Sequence, residues 1–269
     1  MLIWKNTEIL GKYAEGLPFT SIKNEASIAI IGSKIINVSE FQNLKGIFRA
    51  GIGRDNVPVS EAKEKNIIIR YPSDNNTNIL FEETASFTCN LCFKMFYHDL
   101  GSLDPWQKNI RKKLSEKKLL IIGLGRIGSR VAKLMGNFVQ VFTFDILHNN
   151  ISELKKLINT ADCISIHIPK SDDNISFFDS EKLSWMKDGS ILINTARAAI
   201  VDENALYKEI KNNRIKAAFD VLWTEPYNGI MKKFYPDNFF ISPHVASASH
   251  EFSKSCRDDI NQLIIDLNG

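Results

Sequence analysis

The chain has 269 residues, of which 44% are hydrophobic and 24% charged. That composition excludes a disordered or low-complexity polypeptide and gives room for two domains of ordinary size. A net charge of +3 suits small anionic ligands and makes no case for nucleic acid. No apolar run approaches the ~20 residues of a membrane span, and residues 1–5 lack the apolar core of a signal peptide. A cytoplasmic protein with no membrane partner is therefore expected.

Residues 28–31, 46–49 and 67–70 read as short strands, with a helix over 60–65 between the last two. They predict a small α/β unit in the first eighty or so residues. A long apolar helix is predicted over 79–97. Cys89 and Cys92 have CxxC spacing there, but they fall inside the helical apolar pattern of Phe87, Leu91, Phe93, Met95 and Phe96. With no second cysteine pair, they read as core residues rather than a redox or metal pair, and no metal is expected. Residues 100–118 contain Asp104-Pro105 and a basic run, Lys108, Arg111, Lys112, Lys113, Lys117 and Lys118, and read as a solvated linker.

From residue 119 onward strands and helices alternate, which argues for a parallel sheet. The strands are placed at 119–122, 140–144, 163–168, 190–194, 217–221 and 239–242. Helices are placed at 126–135, 151–159, 180–186 and 203–211, the last N-capped by Asp202. Six such strands make a doubly wound nucleotide domain. The first of them enters Gly123-Leu-Gly125-Arg126-Ile127-Gly128, a G-x-G-x-x-G turn between a strand and a helix. Gly123 permits the tight turn, Gly125 lets backbone approach a pyrophosphate, and Gly128 lets the helix pack close. Arg126 and Ile127 stand at the helix start, where free N–H groups face phosphate. Asp145 ends the next strand about twenty residues on. Its carboxylate suits ribose hydroxyls and repels a 2′-phosphate, which points to NAD rather than NADP.

Five stretches carry a resemblance to a known family. They are Arg49-Ala-Gly-Ile-Gly-Arg-Asp-Asn-Val57, Asn76-Thr-Asn-Ile-Leu-Phe-Glu82, the glycine turn, a run from Met186 through Arg197 to Glu203, and Ala218-Phe-Asp-Val-Leu-Trp-Thr-Glu-Pro226 with Ser242-Pro-His-Val245. In this order they resemble the D-isomer-specific 2-hydroxyacid dehydrogenases, with the closest look to the D-3-phosphoglycerate dehydrogenase branch. The resemblance runs from about Ala26 onward. It implies a Rossmann NAD-binding domain over 86–249 and a smaller, shortened flavodoxin-like substrate domain over 1–85 with 250–269, with a cleft between them. It implies hydride transfer between nicotinamide and C2 of a small anionic 2-hydroxy or 2-oxo acid, phosphorylated acids included, and a homodimer. The family's catalytic Arg, Glu and His fall on Arg197, Glu225 and His244. Its cofactor contacts fall on Ile168, Pro169, Thr195, Ala196 and Asp220, and its substrate loop on Arg49, Gly51, Ile52 and Gly53.

The residue types suit that chemistry. A histidine titrating near neutrality exchanges the hydroxyl proton, a carboxylate orients its ring, and an arginine fork holds carboxylate and carbonyl oxygens. A nucleotide-sensing, corepressor-like protein without turnover is the alternative within the same fold. His167 reads as structural, and His98, His148 and His250 as surface residues. Arg54, a second cation of the substrate loop, reads either as an anion contact or as a solvent-facing residue. Three departures from the family pattern are expected to matter. Ala198 replaces the usual glycine after the arginine and would strain a turn of positive φ. The family's first strand and helix read as trimmed. The chain leaves no room for a C-terminal regulatory domain.

Overall fold

The structure, a computed structural model, describes all 269 residues. It divides into two compact units, Glu82–Ala246 and Met1–Phe81 with Ser247–Gly269.

The larger unit is built on six parallel strands: β7 (Lys118–Ile122), β8 (Gln140–Phe144), β9 (Cys163–Ile166), β10 (Ile191–Asn194), β11 (Lys216–Phe219) and β12 (Phe239–Ile241). Their spatial order is β12-β11-β10-β9-β7-β8. The chain steps from β7 outward to β8 and then crosses back to β9, so the order reverses between β7 and β9. In an open parallel sheet, that reversal is where ligands bind, at the carboxyl ends of the strands.

Both faces of the sheet are buried, which is why its strands are almost wholly apolar. Leu120 and Ile122 of β7 point to one face, where they join Leu154 and Ile158 of α4 (Ile151–Thr160), Leu183 of α5 (Ser180–Ser184) and Leu206 and Ile210 of α6 (Glu203–Lys211). Leu119 and Ile121 point to the other, against Leu91, Cys92 and Met95 of α2 (Asp74–Phe96) and Val131 and Met135 of α3 (Gly128–Met135). Each fully buried aliphatic side chain contributes roughly 1.5–3 kcal/mol to such a core. Cys89 and Cys92 are buried within it. Asp202 caps α6 as expected, accepting from the Ala205 N–H at 2.7 Å.

The predicted linker over 100–118 is partly ordered. Gly101–Ser102 (β5) and Gln107–Lys108 (β6) pair as an antiparallel hairpin. Predicted helix 126–135 starts later, at Gly128, because Arg126 and Ile127 remain in the turn.

The smaller unit holds four parallel strands in the order β1 (Leu2–Lys5), β2 (Ala26–Ile31), β3 (Gly46–Arg49) and β4 (Ile68–Arg70), with α1 (Val59–Glu64) between the last two. The expectation of a missing first strand is corrected here. β1 is present, and its Ile3 forms a single parallel bridge with Phe19. Ile3 donates to Pro18 O and accepts from the Thr20 N–H, both at 2.9 Å. That bridge occupies the outer position, so the flavodoxin-like order survives with its second strand reduced to one residue. What is trimmed are the helices around it: 3₁₀ turns over Gly11–Ala14, Lys23–Glu25 and Val38–Glu40 take their place. One face of this sheet packs Ala29, Ile31 and Ile47 against Val38, Phe41 and Ala62. The C-terminal helix α7 (His250–Asn268) covers β3, where a side chain at Gly46 would strike Leu267 at 2.9 Å.

Helix α2 begins earlier than its apolar run because its polar first turn is anchored within this unit. Asn76 is fully buried and donates to Asp259 of α7 at 3.0 Å, and the Ser73 N–H meets the same carboxylate. No helix of the chain is long and apolar enough to cross a membrane.

Candidate active site

The glycine turn follows β7 at the sheet's reversal point. Gly123 has φ +94°, and its N–H donates to Phe144 O at 2.8 Å. A Cβ there would lie 2.6 Å from His167 O, and one at Gly128 would lie 1.9 Å from Gly123 O. Both glycines are therefore required by packing. Gly125 differs, since a Cβ on it would meet nothing within 4 Å. Its face is open, the cradle a pyrophosphate needs.

Asp145, just past β8, accepts from the Leu124 N–H at 2.7 Å and the Leu147 N–H at 3.0 Å. Those two backbone bonds hold its carboxyl below the usual carboxylate range. The carboxylate thus braces the glycine turn and keeps lone pairs for further donors. Ile168 and Pro169 follow β9, with Ile168 against Gly123. His167 precedes them, its Nε2 at 2.9 Å from the Ser165 hydroxyl. Burial pushes its pKa down to about 3, so the ring is neutral.

Arg197, Glu225 and His244 follow β10, β11 and β12, three adjacent strands, all at carboxyl ends. Glu225 and His244 meet directly: His244 Nδ1 lies 3.0 Å from both carboxylate oxygens, and Oε1 also accepts from the Leu222 N–H. Arg197 is half-buried and bonds Ala196 O through Nη1 at 2.8 Å. The Asn194 side chain clamps that turn from below, accepting from the Ala196 N–H and donating to Arg197 O. Thr195 is buried, and its hydroxyl meets that of Thr88 on α2 at 2.8 Å. Thr88 already donates to Thr84 O, so Thr195 is the donor of the pair. The expected strain at Ala198 is absent. The residue opens a 3₁₀ turn without positive φ, which alanine adopts freely.

The strain lies instead at His244, whose φ is +55°. Few side chains occupy this region without support. The support is Asp220, buried just after β11, whose oxygens accept from Ser242 Oγ at 2.7 Å and from the Val245 and Ala246 N–H groups at 2.9 Å. Motif reading singled out Asp220 for the cofactor but missed this bracing, as it missed Asn194 and Thr88. Only the Ser242-Pro-His order hinted at a fixed turn.

In the smaller unit, Arg49 ends β3 and is 5% exposed. Its Nε donates to Gly53 O at 3.1 Å and Asn56 Oδ1 at 3.2 Å, and its guanidinium lies beneath Gly51, where a Cβ would come within 2.5 Å. Arg49 is thus the frame of the loop that carries Gly51, Ile52 and Gly53.

The family model described as "D-isomer specific 2-hydroxyacid dehydrogenase, NAD binding domain" matches residues 97–246. The chain is 34% identical over 225 residues to hydroxypyruvate reductase of Thermotoga maritima, covering 78% of this chain and 73% of that protein. It is 30% identical over 224 residues to D-3-phosphoglycerate dehydrogenase of Archaeoglobus fulgidus, covering 78% of this chain but 42% of that longer one. The structure of D-lactate dehydrogenase from Aquifex aeolicus, complexed with NAD and lactic acid, shares the fold with a TM-score of 0.79 at 22% identity, over 99% of this chain and 95% of that one. The glycine turn with its open Gly125 fits the dinucleotide of the matched domain, and the chain belongs to the D-isomer-specific 2-hydroxyacid dehydrogenases.

Proposed function

We propose that this chain reduces small 2-oxo acids, phosphorylated ones included, and oxidises the matching D-2-hydroxy acids, using the His244–Glu225 pair for the proton and Arg197 for the substrate's oxygens. The observation that carries this reading is the hydrogen-bonded pair itself, at 3.0 Å, its members following the two strands next in order to the arginine's. When bound, the nicotinamide supplies or accepts the hydride at C2. Facing the Glu225 carboxylate, Nδ1 of His244 keeps its proton and donates a hydrogen bond through it, so Nε2 keeps its lone pair for the substrate hydroxyl. In reduction the protonated ring gives its Nε2 proton to the carbonyl oxygen as C2 gains the hydride. Glu225 stabilises that imidazolium. Arg197 offers a planar donor fork that matches a carboxylate and polarises the neighbouring carbonyl. The loop Gly51-Ile52-Gly53, framed by Arg49, supplies backbone donors to the substrate's anionic end.

Gly123, Gly125, Arg126, Ile127, Gly128 and Asp145 are assigned to the adenosine and pyrophosphate. Ile168, Pro169, Thr195, Ala196 and Asp220 are assigned to the nicotinamide half. An assembled proton-transfer pair favours turnover over sensing. The family likeness supports a homodimer, and four free, buried cysteines suit the reducing cytoplasm.

NADH oxidation followed across a panel of 2-oxo acids tests the reaction. His244→Ala is expected to lower kcat by about 10²-fold or more while NADH still binds, as loss of a general acid–base does. Undiminished turnover in that variant would remove His244 from its role.

A further inference from the structure

We propose that Arg54 selects substrates bearing a second anionic group, a phosphate or a distal carboxylate, beyond the 2-oxo acid carboxylate. The proposal rests on the reading that the loop after β3 receives the substrate. Two cations stand on that loop, and they are not equivalent. Arg49 is buried and built into the frame through Gly53 and Asn56, and Asn56 is tied in turn to Gly32 O at 2.7 Å. Its role is to hold the backbone. Arg54 is exposed on the loop's outer end, and its guanidinium carbon sits 5.1 Å from the ring centroid of Tyr71, just past β4. It takes part in no ion pair with any carboxylate of the chain.

Between the two lie the N–H groups of Ile52, Gly53 and Arg54, none of which donates to another protein group. Successive unpartnered backbone donors form a receptor for one anionic group. The guanidinium of Arg54, on the same loop and tethered at Tyr71, is a receptor for another. Stacking on Tyr71 restricts the arginine's rotamers before binding, which lowers the entropy lost when it engages an anion. Its planar fork suits both carboxylate and phosphate. A monoanionic 2-oxo acid would use the loop amides alone. An acid with two anionic groups would use the amides and Arg54 together.

The test compares kcat/KM at saturating NADH for 3-phosphohydroxypyruvate and 2-oxoglutarate against hydroxypyruvate and glyoxylate. The wild-type protein is expected to favour at least one of the two acids with a second anionic group by about tenfold or more, as a charge-assisted contact implies. The phosphate and carboxylate arms show which group is read. In Arg54→Leu that preference is expected to collapse toward unity, with partial recovery in Arg54→Lys. An equal loss on all four acids in Arg54→Leu, or no preference for a second anionic group in the wild type, would overturn the proposal. If the wild type turned over none of the four, the reaction assigned above would fall. Arg54 would then be decided by calorimetric titration of the NADH-loaded protein with 3-phosphohydroxypyruvate and hydroxypyruvate. A ratio of dissociation constants unchanged by Arg54→Leu would defeat it.

Discussion

Asp220 engages both carboxylate oxygens in one turn. Three donors, from Ser242, Val245 and Ala246, converge on it, and the residue they surround is His244 in a left-handed conformation. Glu225 aims the imidazole, but Asp220 fixes the backbone from which it is aimed. Asp220→Asn keeps the size of the side chain and turns one acceptor into an NH2 facing the Ala246 N–H or the Val245 N–H. The turn must then shift, and displacements of about 1 Å cost on the order of 10² in rate. We expect Asp220→Asn to lower kcat by that order while the fold survives. A kcat within about twofold of wild type would show that the turn stands without the carboxylate. The meeting of His244 with Glu225 was legible in the sequence, because the proposed trio of Arg197, Glu225 and His244 sits in short motifs in a fixed order. The bracing was not. Positive φ at a histidine and convergence on one buried carboxylate depend on how β11 and β12 pair, and no local pattern records that pairing.

At the scale of the element, the glycine turn meets two separate requirements, as its sequence leads one to expect. Gly128 has no room for a side chain because Gly123 O lies 1.9 Å from where a Cβ would go. Gly125 has room to spare. Gly128→Ala is therefore expected to lower the melting temperature and weaken NADH binding together. Gly125→Val is expected to leave the melting temperature near wild type and weaken NADH binding by tenfold or more, because its isopropyl group fills the pyrophosphate's approach. Thermal melts beside NADH titrations check both, and equal melting losses in the two variants would contradict the distinction. The inner strands of the larger unit were legible because both their faces are buried, which makes them mostly apolar, while β8 at the edge keeps Gln140 and Thr143. β1 was not, since four residues with only Ile3 fully buried carry too little pattern. The β5–β6 hairpin was missed for a similar reason. Its strands are two residues each, fully exposed, and set in lysine-rich sequence that reads as solvated linker.

For the whole molecule, the residue that couples nucleotide-turn packing to global stability is His167. Its carbonyl packs on Gly123, its Cβ on Gly128, and its ring reaches Ser165 from the end of β9. Burial lowers its pKa from the ordinary 6.5 to about 3. The unfolded chain therefore binds a proton near pH 6.5 that the folded chain refuses until about pH 3. Because the unfolded state holds more protons across that window, stability is full above pH 6.5 and falls as the pH drops. The slope approaches at most ~1.4 kcal/mol per pH unit for one proton. Asp145 and Asp179, whose pKa values are lowered, add a loss of the same sign, but only near and below the ordinary carboxylate range. Between pH 6.5 and 5 the His167 contribution stands apart from theirs. Urea midpoints measured across that interval should fall for the wild type and fall less for His167→Gln, which cannot take up the proton in the unfolded state. Parallel profiles for the two proteins would mean that the imidazole is protonated within the folded unit, and that the glycine turn is looser around it than its packing against Gly123 and Gly128 implies.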